Sequence, residues 1–182
     1  MTVAEARAYS ALGHRLAHRV EACRFPVVAA VHGFALGGGC ELALCTDFII
    51  AAENAVFGMP EVRFGIPSVV EAALLPRLIG RGRAAWFLLT GRNIDARTAL
   101  DWGLVERVVP AEVLDAEVNA TLAAIGEMDP QAVREQKRLL AFWDEHPLSE
   151  GIAESIESLA QSYRDGVPNR LIEDFFAARK RR

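Results

Sequence analysis

The sequence has few cysteines, no excess of basic residues and no long apolar run. Its three cysteines, Cys23, Cys40 and Cys45, form no Cys-x-x-Cys pair, so we expect reduced thiols and a cytoplasmic location. Lysine and arginine number 20 against 24 acidic residues, which argues against a nucleic acid as the main partner. No apolar stretch is as long as the ~18 residues of a membrane helix, and the first residues lack an apolar signal segment. We therefore expect neither a membrane span nor a secretory signal.

What is present is the composition of a folded chain. Hydrophobic residues make up 52% and charged residues 24% of the 182 positions, which excludes an intrinsically disordered protein. The length predicts one domain, or one domain with an appendage.

The first half of the chain reads as alternating strands and helices. The sequence Thr2-Val3-Ala4-Glu5 fits a capping box, so a helix is predicted to begin there and to stop before Pro26. The run 27–31 is apolar without alternation, as expected of a strand buried on both faces, and 48–52 is a second such run. A short helix at 40–45 between them predicts a βαβ unit with parallel strands.

The second half becomes helical. Shorter predicted elements are a strand at 56–57, helices at 68–79 (capped by Ser68), 83–89 and 95–102 (capped by Asp95), and a strand at 104–109. Four amphipathic helices then follow, predicted at 112–125, 130–143, 149–163 and 169–180. We therefore expect an α/β core in residues 1–110 and a helical region in residues 111–182. A neighbouring subunit would give those helices a surface to pack on.

The first candidate for chemistry is the turn Gly37-Gly38-Gly39-Cys40-Glu41. Glycines between a buried strand and a helix let the backbone come close to a ligand, and amides at a helix start could bind a phosphate or an oxyanion. A tight strand-to-helix turn without a ligand explains the glycines equally well. The spacing satisfies neither GxGxxG nor the P-loop pattern, which disfavours nucleotide binding by those routes.

The second candidate is a pair of acids, Glu41 and Glu61. Each has apolar neighbours in the sequence, and burial raises the pKa of a carboxyl group towards the range useful for proton transfer near neutral pH. Two such groups facing each other could share the roles of acid and base. Sequence separation says nothing about facing, so spacing alone favours two unrelated surface glutamates.

Two further groups have simple explanations. His14 and His18 lie one helical turn apart, but Arg15 stands where a His-Glu-x-x-His zinc motif needs its glutamate. A solvated helix face is therefore favoured, and no metal site is predicted. The basic residues 179–182 suit the C-terminal end of a helix through its dipole.

A family resemblance appears in the segments that contain the glycine turn and the two glutamates. Residues 25–43, FPVVAAVHGFALGGGCELA, resemble the signature of the crotonase (enoyl-CoA hydratase/isomerase) superfamily. The family's order continues in FGMPEV at 57–62, LIG at 78–80, LTG at 89–91, ALDWGLV at 99–105 and VP at 109–110. The resemblance runs from about Pro26 to the C-terminus.

This resemblance implies a mechanism. The Gly38 amide would form half of an oxyanion hole for an acyl-CoA thioester, Glu41 would activate water, and Glu61 would protonate C2 of a 2-enoyl-CoA. Substrate contacts would come from Gly37, Gly38 and Pro60. Coenzyme A would arrive as part of the substrate, with no separate cofactor and no metal. The basic residues 179–182 could contact a CoA phosphate, but this role is less favoured than that of a helix C-terminus.

The resemblance also implies an architecture and alternative functions. The fold would be an α/β spiral of ββα units, incomplete at its N-terminus, followed by helices that assemble a homotrimer or a dimer of trimers. Such proteins work in fatty acid metabolism. Two alternatives stay open: a double-bond isomerase on the same scaffold, and a non-catalytic short family member.

Two departures from the family pattern carry expectations. Family members have an earlier stretch, with an Ala-Gly-x-Asp-like segment, that supplies the second oxyanion donor and much of the CoA site. We do not find it here, and a fragment or a late start codon would explain this. After Glu61, Pro67-Ser68-Val69-Val70-Glu71 replaces the glycine-rich run of many hydratases. Glu71 is either a third active-site acid or part of a capping box with Ser68, and the helical pattern favours the capping box.

Overall fold

The computed structural model describes residues 1–179. They form two compact units, Met1–Ile125 and a second that begins at Gly126. Within residues 1–179 no helix combines the length and the apolar character that a bilayer crossing requires.

The first unit mixes strands and helices as the sequence predicts, with two short strands, Phe34–Leu36 and Ile94–Asp95, that were not predicted. Its strands are β1 Val28–Val31, β2 Phe34–Leu36, β3 Phe48–Ala52, β4 Val56–Gly58, β5 Ile94–Asp95 and β6 Arg107–Val109. Its helices are α1 Val3–Glu21, α2 Gly38–Leu44, α3 Leu75–Ile79, α4 Arg81–Thr90, α5 Ala96–Trp102 and α6 Leu114–Gly126. Three 3₁₀ segments, Glu61–Phe64, Val70–Leu74 and Ala111–Val113, lie between them.

Two three-stranded sheets organise this unit. One has the order β1-β3-β6 with all neighbours parallel, and the other has the order β2-β4-β5, parallel and then antiparallel. The predicted βαβ unit is confirmed, because β1 and β3 pair in parallel across α2. Strand β2 was not predicted: it is three residues long with two exposed side chains, and it is held by pairing with the distant β4.

The core lies between the sheets and the helices of the first unit. Phe57, Met59, Leu75 and Phe87 are completely buried, and each such side chain stabilises the fold by about 1.5–3 kcal/mol. Strand β3 is buried at four of its five positions, as predicted for a strand covered on both faces. Strand β1 differs from the same prediction, because Ala30 is exposed and Val31 alone of its four residues is buried.

Local capping signals give helix boundaries correctly. Thr2 and Glu5 form the reciprocal capping box that begins α1, and the Asp95 side chain accepts a hydrogen bond from the Thr98 amide at the start of α5. The strand predicted at 104–109 is shorter, because the Leu104 amide still donates to the Ala99 carbonyl at the end of α5.

The capping prediction at Ser68 is wrong. The predicted helix 68–79 is split into the 3₁₀ segment Val70–Leu74 and α3, and no side chain caps the 3₁₀ segment. Val70 has a φ of 53°, a left-handed conformation that cannot continue a right-handed helix. The Ser68 hydroxyl donates to Glu61 instead.

As far as residue 179, the second unit contains three helices, α7 Pro130–Glu145, α8 Leu148–Ser162 and α9 Val167–Arg179. The Trp143 indole donates to the Gly151 carbonyl at 3.2 Å, and the Ser158 hydroxyl donates to Glu135 at 2.7 Å, so α7 and α8 run in opposite directions. The helix predicted at 169–180 corresponds to α9, which the structure describes as far as Arg179, and the remaining basic residues 180–182 lie outside the described part. The described residues after Val109 are helices and their connections, while the domain division at residue 110 stays a prediction.

Candidate active site

The glycine turn joins β2 to α2 in a conformation that requires glycine. Gly37 has φ 53° and ψ −124°, a backbone region that L-residues with a side chain rarely enter. Its amide donates to the Gly58 carbonyl on the paired strand at 2.8 Å, and its carbonyl accepts the Glu41 amide at 2.9 Å. Helix α2 therefore begins at Gly38, whose amide is at the first helical position and has no partner within the helix.

Glu61 comes to the same turn from β4. Pro60, half-buried, precedes it, and Glu61 is the first residue of the 3₁₀ segment Glu61–Phe64. A Cβ atom added to Gly37 would lie 2.5 Å from Glu61 Oε1, so the carboxylate is packed against the bare glycine backbone. The other oxygen, Oε2, accepts a hydrogen bond from the Ser68 hydroxyl at 2.7 Å.

Glu41, on α2, has an environment that opposes ionisation. Its pKa is raised to about 7, first by burial and next by the negative charge of Glu61. A backbone hydrogen bond from Ala72 acts in the opposite direction, and the charge of Glu71 adds a smaller increase. A carboxyl group with this pKa can both accept and release a proton near neutral pH.

Glu71 is the third carboxylate of the cluster. Only 7% of its surface is exposed, and its Oε1 lies 2.6 Å from Nδ1 of His14 on α1. His14 is thus more than part of a solvated helix face, since one ring nitrogen bonds to a buried acid. Of the two predicted alternatives for Glu71, the structure supports an acid beside the candidate active site and contradicts the capping box.

Four of the predicted site residues come together: Gly37, Gly38, Glu41 and Glu61. Pro60 adjoins them through Glu61, and the alternative of two unrelated surface glutamates does not describe the structure. Their chemical roles stay predictions.

Sequence reasoning missed the hydrogen bond of Ser68 and the pairing of His14 with Glu71. The available signal was the departure from the family's glycine-rich run at residues 67–71, but the pattern there also fits a helix cap.

The cysteines near the site are not suited to nucleophilic chemistry. Burial raises the pKa of the Cys40 and Cys45 thiols to about 12, so the reactive thiolate is scarce at neutral pH. Among residues 1–179 no three histidine, cysteine, aspartate or glutamate side chains are arranged to hold a metal ion.

Solved structures share this architecture. The enoyl-CoA hydratase of Bacillus anthracis matches 100% of this chain and 70% of its own length with a TM-score of 0.88 and 34% identity. The enoyl-CoA hydratase of Mycobacterium smegmatis gives a TM-score of 0.94 at 26% identity, over 98% of this chain and 69% of its own. The chain is therefore a mixed α/β protein of the crotonase fold with a helical C-terminal region, as predicted.

The sequence places it in a family within that class. The family model described as enoyl-CoA hydratase/isomerase matches residues 2–163, and the chain belongs to this family. The match includes α1, so it begins earlier than the resemblance read from Pro26 onward, and it ends before the C-terminus.

Curated relatives give the same family. The crotonyl-CoA hydratase of Syntrophomonas wolfei is 48% identical over 138 residues, which are 75% of this chain and 53% of the relative. A probable enoyl-CoA hydratase of Mycobacterium tuberculosis is 45% identical over 135 residues, which are 74% of this chain and 52% of the relative. The chain spans about half the length of these curated relatives.

Proposed function

We propose that this chain carries the two-glutamate centre of a hydratase that adds water reversibly to the double bond of a 2-enoyl-CoA. One observation carries the proposal: Glu41 and Glu61 lie close enough for the charge of Glu61 to raise the Glu41 pKa, beside the Gly37-Gly38 turn. The names of the relatives support it, since they are called hydratases of enoyl-CoA or crotonyl-CoA.

In this proposal Glu41 is the base. It takes a proton from the water molecule that attacks C3, and the electrons of the double bond move through C2 towards the thioester oxygen. The Gly38 amide donates a hydrogen bond to that oxygen, and such a donor contributes a few kcal/mol to the stability of the transition state. For this step Glu61 carries a proton when the substrate is bound: its O–H bond breaks as the electron pair of the enolate forms the C2–H bond, and Glu61 is left as a carboxylate. A Glu41 pKa of about 7 suits this role. A higher pKa makes a carboxylate a stronger base, and a pKa near the working pH still leaves much of the group ionised.

The binding part of the proposal uses Gly37, Gly38 and Pro60 as contacts to the acyl-CoA. The bare backbone at Gly37 and Gly38 allows a close approach of the thioester, and Pro60 lies immediately before Glu61. Coenzyme A is part of the substrate here, and the two carboxyl groups and the amide need no further cofactor or metal for this step.

Substitution of the acids tests the mechanism. Glu41→Gln and Glu61→Gln each keep the size of the side chain and remove proton transfer, so we expect each to lower turnover of a 2-enoyl-CoA by roughly 100-fold or more. Exposed Glu53 provides the control, and Glu53→Gln should retain full turnover. Thermal melts of all three variants check folding. Unchanged turnover in either site variant would contradict the assigned roles.

A double-bond isomerase is the second candidate, because the family's description covers both activities. One acid would then move a proton between carbons, and no water would be added. Turnover in ¹⁸O-labelled water separates the two, since a hydratase places the label in its product and an isomerase does not. A third candidate, a non-catalytic family member, is eliminated by any turnover of the purified chain.

The setting of the reaction is also proposed. Acyl-CoA substrates belong to fatty acid metabolism, and the three unpaired cysteines support a reducing compartment such as the cytoplasm. We propose a homotrimer, or a dimer of trimers, assembled through the C-terminal helices.

A further inference from the structure

The Glu61 carboxylate is held from two sides. Oε2 accepts the Ser68 hydroxyl at 2.7 Å, and Oε1 lies where a Cβ of Gly37 would be only 2.5 Å away. Rotation of the carboxylate about its Cγ–Cδ bond would break the hydrogen bond and move an oxygen away from the glycine turn. The two oxygens therefore have different neighbours.

The backbone next to Ser68 is strained and is held on both sides by side-chain contacts. Val70, two residues later, has a φ of 53°, which is a genuine outlier for a β-branched residue. Such strain persists only where the surroundings fix it. Glu71, buried and bound to His14, anchors the chain directly after Val70, while Ser68 anchors it before.

We propose that Ser68 is a positioning residue for Glu61: its hydroxyl occupies Oε2, so that Oε1, beside Gly37, is the oxygen that exchanges a proton with the substrate. This inference rests on the proposed hydratase function. Ser68 belongs neither to the two glutamates nor to the glycine turn.

The chemistry of the step explains why the hydroxyl helps. The proton on Oε1 forms a bond to C2 with the electron pair of the enolate, while the O–H electron pair stays on the carboxylate. The Ser68 hydroxyl then donates to a fully charged carboxylate, and charge-assisted hydrogen bonds are shorter and stronger than neutral ones. Ser68 therefore stabilises Glu61 more as the proton leaves than before.

Two substitutions at Ser68 test this role. Ser68→Ala removes the hydroxyl with little change in volume, and we expect kcat to fall about 10-fold or more, as for loss of a hydrogen bond to a charged group. KM should stay within about twofold, because the serine acts on the reacting proton and not on binding. Ser68→Thr keeps a hydroxyl and should recover most of the activity. Exposed Ser149, changed to alanine, is the control.

The outcomes are distinguishable from those of the function itself. Unchanged kcat in Ser68→Ala, or an equal loss in Ser68→Thr, overturns the positioning role. If the unsubstituted chain shows no turnover, the hydratase proposal fails, and crystal structures of the two variants decide the inference. A Glu61 carboxylate that turns away from Gly37 only in Ser68→Ala supports it, and one that keeps its place in Ser68→Ala overturns it.

Discussion

At the scale of single residues, Glu41 combines two unfavourable influences on a carboxylate. Removal from water and the neighbouring charge of Glu61 both raise its pKa, from an ordinary 4.5 to about 7. A group perturbed in this way beside a second acid is typical of catalytic sites. It also affects stability, because the folded protein binds this proton more tightly than the unfolded chain does.

The pH dependence of stability tests this environment. With a folded-state pKa raised above the unfolded value, Glu41 lowers stability as the pH rises from 4.5 to about 7, and the loss persists above that range. We expect Glu41→Gln to be close to the unsubstituted protein at pH 4, below the unfolded-state value, and to be more stable at pH 8 by about 1 kcal/mol, a figure reduced for the partial exposure of the group. Denaturant unfolding at both pH values measures this, and a difference that does not change with pH would contradict it.

At the scale of elements, the segment from Ser68 to Leu74 shows how one residue decides an element's form. The apolar spacing there is helical, yet Val70 adopts a left-handed φ of 53° and the chain forms a 3₁₀ turn. On either side of Val70, Ser68 bonds to Glu61, and Glu71 lies beside Glu41 and His14. The segment from Ser68 to Leu74 thus contributes side chains to the site, and its backbone at Val70 is strained.

Glycine substitution measures that strain. Left-handed backbone costs an L-residue about 1–2 kcal/mol, so Val70→Gly relieves strain while it loses a half-buried side chain, and we expect little net change in stability. Val69 is extended, with φ −133°. Val69→Gly should cost about 1 kcal/mol or more, because it adds backbone freedom and removes a side chain that is 44% exposed, with no strain to relieve. Chemical denaturation of both variants gives the comparison. A larger loss at Val70 than at Val69 would show that the position is not strained.

At the scale of the whole molecule, helix α8 presents a stripe of exposed apolar side chains. Four side chains on one stripe of α8 are more than half exposed, namely Leu148, Ile152, Ile156 and Leu159. Contiguous exposed apolar surface of this kind marks an interaction site. A closed assembly of identical chains would bury it without leaving open ends.

Sedimentation analysis tests the proposed trimer. We expect a mass three or six times the 19.9 kDa of one chain. Ile156, 67% exposed, should be buried by assembly, so Ile156→Asp should shift the protein towards smaller species. Exposed Glu157, changed to glutamine, is the control on the same helix. A monomer for the unsubstituted chain, at the micromolar concentrations of the measurement, would contradict the proposal.

The sequence by itself determined the features that depend on near neighbours. The capping box at Thr2 and Glu5, the cap at Asp95, the buried run of β3 and the glycine turn each follow from residues a few positions apart. Helix caps and apolar runs are local interactions, so pattern alone identifies them.

Only the tertiary structure decided which side chains meet across the site. Glu71 and His14 are 57 positions apart in sequence, and strand β2 exists through its pairing with β4. The hydroxyl of Ser68 had two partners available, the backbone of a helix and the Glu61 carboxylate, and both were compatible with the sequence pattern. In the folded protein the hydroxyl bonds to the carboxylate, and Val70, two residues later, has a left-handed φ, so no regular helix begins at Ser68.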